Sequence, residues 1–495
     1  MAVLYEIVRP VPILVILIGL ATLPLIVKIF LQYWRLRHIP GPWQAKLTNF
    51  WLARRVWRGE NFPDISRDLD KRFGRVVAYG PNRILFNEPT AIGIIFNTRN
   101  PFPKPDSYNV PVQAVNGKLI STFITERSEA RISIIKKQII GAFSTNAILA
   151  YEHHIDHNIT RLMDRFTLSE QDKVFNIATW NIFFAMDTIC NIAFSDNQGL
   201  VERQADIGRT LQGGKERLLH WHNWQSLPWL EELIFKNRWA TRGSQKSSKL
   251  GELATERLQE RMEKGGRGNF SDLLDRYLQA RERDPATFTR STILGLVMSI
   301  IAAGGDTTSS TINVTLYYLL ANPRTMAKLK AEISQANLSF PPAWVNVSKL
   351  HYLDACIKEA GRLRPLLLDP LEREVPVDSQ IAGVFVPAGT VVAVNTHALN
   401  LEPEIWGSKT HEFRPERWLD CDEQQLQKME RCDLFFSGGR RICIGQHIAW
   451  IEMKKYITAL LLRFEIEAVE PNAPLNWSGS VNLSVDELMV RIRAR

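Results

Sequence analysis

Phe436-Ser437-Gly438-Gly439-Arg440-Arg441-Ile442-Cys443-Ile444-Gly445 is a glycine-rich loop that delivers one cysteine. It then runs into Gln446-His447-Ile448-Ala449-Trp450-Ile451-Glu452, an apolar pattern at helical spacing. The cysteine therefore stands at a helix N-terminus, where unpaired N–H groups and the positive end of the helix dipole stabilise a thiolate. Arg440 and Arg441 add positive charge beside it. Gly438 and Gly439 let the backbone lie close beneath a flat ligand, and Phe436 is placed to cover the sulfur. Three plainer readings compete: an isolated cysteine usually serves as a small buried hydrophobe, Gly438-Gly439-Arg440-Arg441 could be a simple basic turn, and Cys443 with His447 could start a zinc site. No second cysteine or histidine pair completes four zinc ligands.

The longest apolar run at helical spacing covers residues 292–321 and stops at Asn322-Pro323. Thirty residues make a rod of about 45 Å, long enough to cross a whole domain. Its middle reads Ala302-Ala303-Gly304-Gly305-Asp306-Thr307-Thr308. Two adjacent glycines weaken such a helix by about 2 kcal/mol against alanines, so something besides helix stability is served there. Small Ala303 and Gly304 leave room for a plane against the helix, and a threonine can open the groove by bonding back along it. Further on, Glu359 and Arg362 stand three apart on one helical face before Leu363-Arg364-Pro365, and Pro415-Glu416-Arg417-Trp418 precedes the cysteine loop.

Taken together, Phe-x-x-Gly-x-Arg-x-Cys-x-Gly, Ala-Gly-Gly-Asp-Thr-Thr, Glu-x-x-Arg and Pro-Glu-Arg resemble, in order and spacing, the motifs of the cytochromes P-450, the haem-thiolate monooxygenases. That resemblance implies a mainly α fold with small β-sheets, the cytochrome P450 fold. It implies haem b held by Cys443 as axial iron ligand, with Phe436, Gly438, Arg441, Arg373 and Ala303 around the cofactor. Thr307 would hydrogen-bond dioxygen, and Asp306 would relay protons. Glu359, Arg362 and Arg417 would form a buried structural triad. Tyr108, Ile120, Phe123, Leu368, Asp369 and Leu483 would face substrate. The family usually offers a Trp-x-x-x-Arg or a histidine to a haem propionate. This chain has no such tryptophan, leaving Arg131, Lys136 and Lys137 as alternatives. The resemblance further implies oxidation of a hydrophobic small molecule with electrons from NADPH through the flavins of a cytochrome P450 reductase, with cytochrome b5 a further partner. Residues 371–376 and 413–419 look most like fungal members acting on secondary metabolites of terpenoid, polyketide or aromatic type. A family member that rearranges peroxides or dehydrates oximes without a reductase, and a haem electron carrier, are the alternatives.

Of 495 residues 45% are hydrophobic, which supplies ample core, and the 61 Lys plus Arg against 52 Asp plus Glu give a net charge of +9. No zinc-finger spacing or dense basic run accompanies that charge, which suits a membrane surface and an acidic protein partner better than nucleic acid. Five widely spread cysteines exclude a disulfide framework and point to a reducing compartment. Residues 11–27 are almost wholly apolar, with Arg35, Arg37, Lys46, Arg54 and Arg55 following. We read 1–34 as a single transmembrane anchor, 35–45 as a proline-rich hinge and 46–495 as one catalytic domain. The positive-inside rule then puts that domain on the cytosolic face of the endoplasmic reticulum membrane, so Asn158, Asn269, Asn313, Asn337 and Asn346 are expected to carry no glycan.

Shorter segments complete the reading. Residues 75–86 predict a hairpin, 101–125 a long loop, 381–394 a strand, turn and strand, and 476–491 a terminal hairpin with 481–483 at its tip. Trp221, Trp224, Trp229 and Trp239, mixed with leucines, suit a mobile cover at the membrane interface. The charged stretch 244–269 reads as a surface segment.

Overall fold

The computed structural model describes residues 10–168, 174–206, 208–242, 247–266 and 272–495. Asn269 and the first nine residues of the expected anchor lie outside them. In chain order the elements used below begin with α1 (Pro10–Arg35), β1 (Val76–Gly80), β2 (Arg83–Phe86), β3 (Gln113–Val115), β4 (Lys118–Ile120) and α2 (Glu129–Ile139). Next come β5 (Val174–Asn176), α3 (Ile177–Phe194), α4 (Thr210–Trp224), α5 (Pro228–Phe235), α6 (Lys249–Glu263), α7 (Arg290–Ala321) and α8 (His351–Leu363). The chain closes with β6 (Arg373–Glu374), β7 (Ser379–Ile381), β8 (Val384–Val386), β9 (Val391–Val394), α9 (Gln446–Arg463), β10 (Phe464–Ala468), β11 (Asn476–Gly479), β12 (Leu483–Glu487) and β13 (Met489–Ala494). Helices dominate, and the strands form small sheets: β1-β2-β9-β6, β10-β13-β5, and the pairs β3-β4, β7-β8 and β11-β12.

Helix α7 is the axis. Thr289 caps it by accepting from the Thr292 N–H, and Pro323 cannot extend it, so the helix runs 32 residues against the 30 expected. It is apolar on most of its circumference because it is packed on most of it, against α3 above all. Both α3 and α7 are long and apolar enough to span a bilayer, yet most of each is buried in the protein core. Their closeness explains the paired glycines. A Cβ on Gly304 would lie 2.4 Å from Ile189, and one on Gly305 2.7 Å from the Met186 methyl. This corrects the sequence reading: the room beside Gly304 is taken by α3, not left for a ligand.

The hairpin over 75–86 forms as expected, and β2 continues into a parallel pair with β9. The segment 381–394 divides differently from expectation. Ala382 and Gly383, both at positive φ, turn β7 into β8, while β9 crosses to the larger sheet. The loop over 101–125 contains a short 3₁₀ turn at Asp106–Asn109 and the β3-β4 hairpin. At the C-terminus β11 pairs with β12, but β13 leaves to join β10 and β5.

The proline-rich segment after α1 is docked rather than free. Leu36 and Ile39 are buried, the Ala78 N–H donates to the Pro40 carbonyl, and a Cβ at Gly41 would press to 2.4 Å from the Ala78 oxygen. Of the asparagines in glycosylation triplets, Asn158 and Asn313 are buried in the core, whereas Asn337 and Asn346 are exposed.

Candidate functional site

The cysteine loop closes on itself. Cys443 N–H donates to the Phe436 carbonyl at 3.0 Å, Ser437 and Gly439 adopt positive φ, and α9 begins three residues after the sulfur. Gly439 is the residue the geometry demands, since a Cβ there would stand 2.1 Å from the Phe96 carbonyl oxygen. The neighbouring Gly438 faces the Phe96 side chain more loosely, at 3.3 Å. The rings of Phe435, Phe436 and Trp450 pack together beside the loop.

Cys443 is exposed, but in a recess: protein crowds it enough that burial pushes its thiol up, with the Gly445 N–H and Lys136 pulling the other way. The expected pair of arginines does not supply that pull. Arg440 donates to the Thr98 carbonyl at 3.0 Å, and Arg441 pairs with Glu129 at 2.7 Å. The loop alone therefore does not make the sulfur an anion. A bound metal cation would, because a coordinating thiol loses its proton outright. Among the described residues no three His, Cys, Asp or Glu side chains gather to hold a bare metal ion.

On α7 one face stays open in the midst of a buried helix. Ile300, Ala303 and Thr307, spaced at three and four, are only half-buried, whereas Ile301, Gly305 and Thr308 are packed. Thr307 Oγ1 donates to the Ala303 carbonyl at 2.7 Å, so the hydroxyl retains acceptor capacity. Asp306 sits beside it, its carboxyl raised by burial and opposed by Lys215 and the Asn482 side chain; Oδ1 has no hydrogen-bond partner. Asn482 comes from the β11-β12 turn, which is pinned beneath residues 366–368: Leu368 N–H donates to Val481 O at 2.8 Å and Leu483 N–H to Leu366 O at 2.7 Å.

A group of buried cations completes the site, and one of them was not foreseen. Lys104, held between Pro103 and Pro105, is buried and donates to the Ile124 carbonyl at 2.6 Å. Its ammonium is driven well below the usual lysine range by burial, then by Arg373 and Arg441. Arg373, also buried, donates to the Glu372 carbonyl at 2.8 Å and faces the Tyr108 hydroxyl. Glu372 itself is used up: Arg83, the Tyr79 hydroxyl and Ser107 all bond to it. Glu126 is paired with Arg131 at 3.2 Å. Lys104, Arg373 and Arg441 are thus left with Glu129 as their carboxylate, so basic groups outnumber acidic ones here. Arg441 Nη1 makes no hydrogen bond. Of the three basic residues left open by the sequence, Lys136 lies nearest this region, donating to the Arg440 carbonyl at 2.9 Å; Arg131 and Lys137 are exposed.

Glu359, Arg362 and Arg417 come together fully buried. Arg362 grips Glu359 through two nitrogens at 2.8 and 2.9 Å, and Arg417 and the Trp418 indole donate to the same carboxylate at 3.1 and 3.0 Å.

The predicted substrate contacts scatter. Ile120 and Phe123 pack along the first half of α7, with the Phe123 N–H on Ser299. Tyr108 turns edge-on to Trp221 and lies under the Lys104 ammonium. Leu368 and Leu483 line a cavity of about 350 Å³ with Tyr318, Arg364, His397 and Trp477. Asp369 is bonded to His222 at 2.8 Å and Gln225 at 2.6 Å, which ties α4 to the body, although its Oδ1 stays unpartnered.

The cytochrome P450 family model matches residues 39–488. The chain is 32% identical to cytochrome P450 monooxygenase mfmA of Annulohypoxylon moriforme over 92% of both proteins. It is also 32% identical to cytochrome P450 monooxygenase cicH of Emericella nidulans, over 93% of this chain and 94% of the relative. The cytochrome P450DA heme domain shares the fold, with a TM-score of 0.75 at 22% identity over 92% of this chain and 98% of that one. Motifs, fold and relatives agree, and the chain belongs to the cytochrome P450 family as a monooxygenase.

Proposed function

We propose that Cys443 would ligate haem iron, with Arg373, Arg441 and Lys104 receiving the propionates. The buried basic group, with more cations than carboxylates, carries this reading. Burying uncompensated charge costs several kcal/mol per ion, and a haem brings the two carboxylates that would relieve it. The accessible thiol and the open face at Ala303 fit the same flat cofactor.

When bound, the cofactor supplies dioxygen activation, with thiolate ligation favouring O–O cleavage. The chain's own residues do the rest. The Phe435, Phe436 and Trp450 rings form an apolar wall beside the cysteine loop. Thr307, with its proton engaged at Ala303 O, accepts a hydrogen bond on the open face or turns to donate one. Asp306, its carboxyl raised by burial, stands next to Thr307 in the chain and would relay protons toward it. Glu359, Arg362 and Arg417 hold the chain that leads into the cysteine loop.

The reaction class proposed is insertion of one oxygen atom into a hydrophobic small molecule, of terpenoid, polyketide or aromatic type, in fungal secondary metabolism. Electrons would come from NADPH through a flavin-containing reductase docking on the basic surface around Lys136 and Arg440, with cytochrome b5 able to use the same surface. We further propose that 1–34 anchors a single domain, 46–495, to the endoplasmic reticulum membrane. Exposed Leu23, Ile26, Phe30 and Trp34 on α1, and Trp229, Leu233, Phe235 and Trp239 near α5, support this.

Membranes containing the protein, supplied with NADPH, reductase, candidate metabolites and labelled dioxygen, should yield product carrying one labelled atom. Thr307→Ala should consume NADPH while forming at least about tenfold less product. Turnover without NADPH would favour the reductase-independent alternative. Unchanged, coupled turnover in Thr307→Ala would remove the role given to that hydroxyl.

A further inference from the structure

Helix α4 roofs the region and carries two donors that the fold leaves unused. Arg217 and Trp221 stand four apart on one face. Arg217 Nε and Trp221 Nε1 are both shielded from solvent, and neither has an acceptor among the described residues. A helix that merely covered a cavity would be expected to place apolar side chains here.

Arg217 opens into a cavity of about 250 Å³ whose walls include Val110, Leu119 and Phe235. Three other titratable groups line it, and they satisfy one another. Glu231 is bonded to His220 at 3.0 Å and to Lys236 at 2.7 Å, and Lys236 also donates to the Asn109 and Val110 carbonyls. Arg217 is left as the unbalanced charge, and burial alone pushes its guanidinium down to about 10. The fold contains many arginines with carboxylate partners, Arg83 and Arg261 among them, so an isolated guanidinium is not the habit of this protein.

We propose that this cavity binds the carboxylate end of an amphipathic acid, with Arg217 as the charge partner and the apolar walls taking the adjoining hydrocarbon. This deepens the monooxygenase reading by assigning the substrate class: an apolar molecule with one free carboxylate at the end remote from the reacting carbon. An uncharged terpenoid or ester would leave the guanidinium unpaired, which costs more than the missing contact itself.

Two measurements on the full-length holoenzyme in detergent test the proposal. In the first, lauric, abietic and retinoic acids are each compared with their methyl esters by quenching of intrinsic tryptophan fluorescence, a readout that does not require turnover. At least one acid should bind about tenfold or more tightly than its ester, and Arg217→Met should abolish that preference while Arg217→Lys keeps part of it. Equal binding of acid and ester for all three pairs, or a preference that survives in Arg217→Met, overturns the proposal. So does a response confined to phosphatidylserine vesicles, because the anion would then belong to membrane lipid. In the second measurement, Arg217→Met should raise the melting temperature of the ligand-free protein, since it removes a charge with no partner. A fall would mean that Arg217 serves the fold. A protein that binds the acids but lacks a thiolate haem spectrum would leave this site standing and remove the monooxygenase chemistry instead.

Discussion

Two of the buried charge groups in this fold are built to different ends. Around Glu359 every group is answered. Arg362 and Arg417 share the carboxylate, Trp418 and the Arg414 N–H add donors, and spare guanidinium nitrogens reach the Asn400, Trp406 and Lys409 carbonyls. Around Lys104, Arg373 and Arg441 the cations outnumber the carboxylates, and Arg441 keeps an unused nitrogen. A closed network gains little stability over an apolar core but punishes the loss of any member. An open one is tolerable only if something else supplies the missing charge. The first fixes the chain before the cysteine loop, and the second waits for an anion.

The largest expected effect follows from removing the carboxylate at the centre of the closed network. Glu359→Ala should lose about 3–5 kcal/mol in urea unfolding, because two guanidiniums are left buried and unpaired. Lys104→Met should do the opposite to the fold, leaving it as stable or more so, while haem passes to apomyoglobin several times faster. Equal destabilisation by the two variants would erase the distinction. A smaller effect tests the packing that carries the open face of α7. Gly304→Ala should cost about 1–3 kcal/mol through collision with Ile189, and Ile189→Ala in the same chain should recover part of it. No loss in Gly304→Ala would mean that the two helices are less close than described.

A pH-dependent effect lies outside both groups. Burial pushes His397 down to about 4, with the Leu367 and Leu368 carbonyls opposing. An unfolded histidine takes its proton near pH 6.5 while the folded one refuses it until about 4, so the unfolded chain binds more protons between those values and stability must fall as pH falls through that window. His222 has the opposite sign, raised by Asp369 against its burial, so its contribution is present below pH 6.5 and fades as pH rises through its folded value. The loss of stability on acidification should be shallower in His397→Gln, measured by thermal unfolding from pH 7 to 4.5.

Much of this was legible in the sequence because it is local. The cysteine loop, the capped run ending at Pro323 and the Glu359–Arg362 spacing are each written within a few residues, and each folds as its pattern demands. Partnerships across long separations were not legible. Nothing near Lys104 marks it as buried beside Arg373, although the flanking Pro103 and Pro105 show that its backbone is fixed. Glu129 gives no sign in the chain that it will take Arg441 away from the sulfur, and Gly304 was read with Ala303 as room for a ligand because α3 could not be placed against it. Arg217 and Trp221 lay within a segment read for its aromatic content. Their meaning depends on which acceptors are missing, and only a three-dimensional arrangement shows that.

The central claim is that one sulfur holds haem iron. The absorption spectrum of the reduced carbon monoxide complex tests it most directly. The wild-type protein should show the red-shifted Soret band that gives the family its name, and Cys443→Ala should show none. A variant that kept the band, or a wild-type protein that never displayed it while binding haem, would contradict the account.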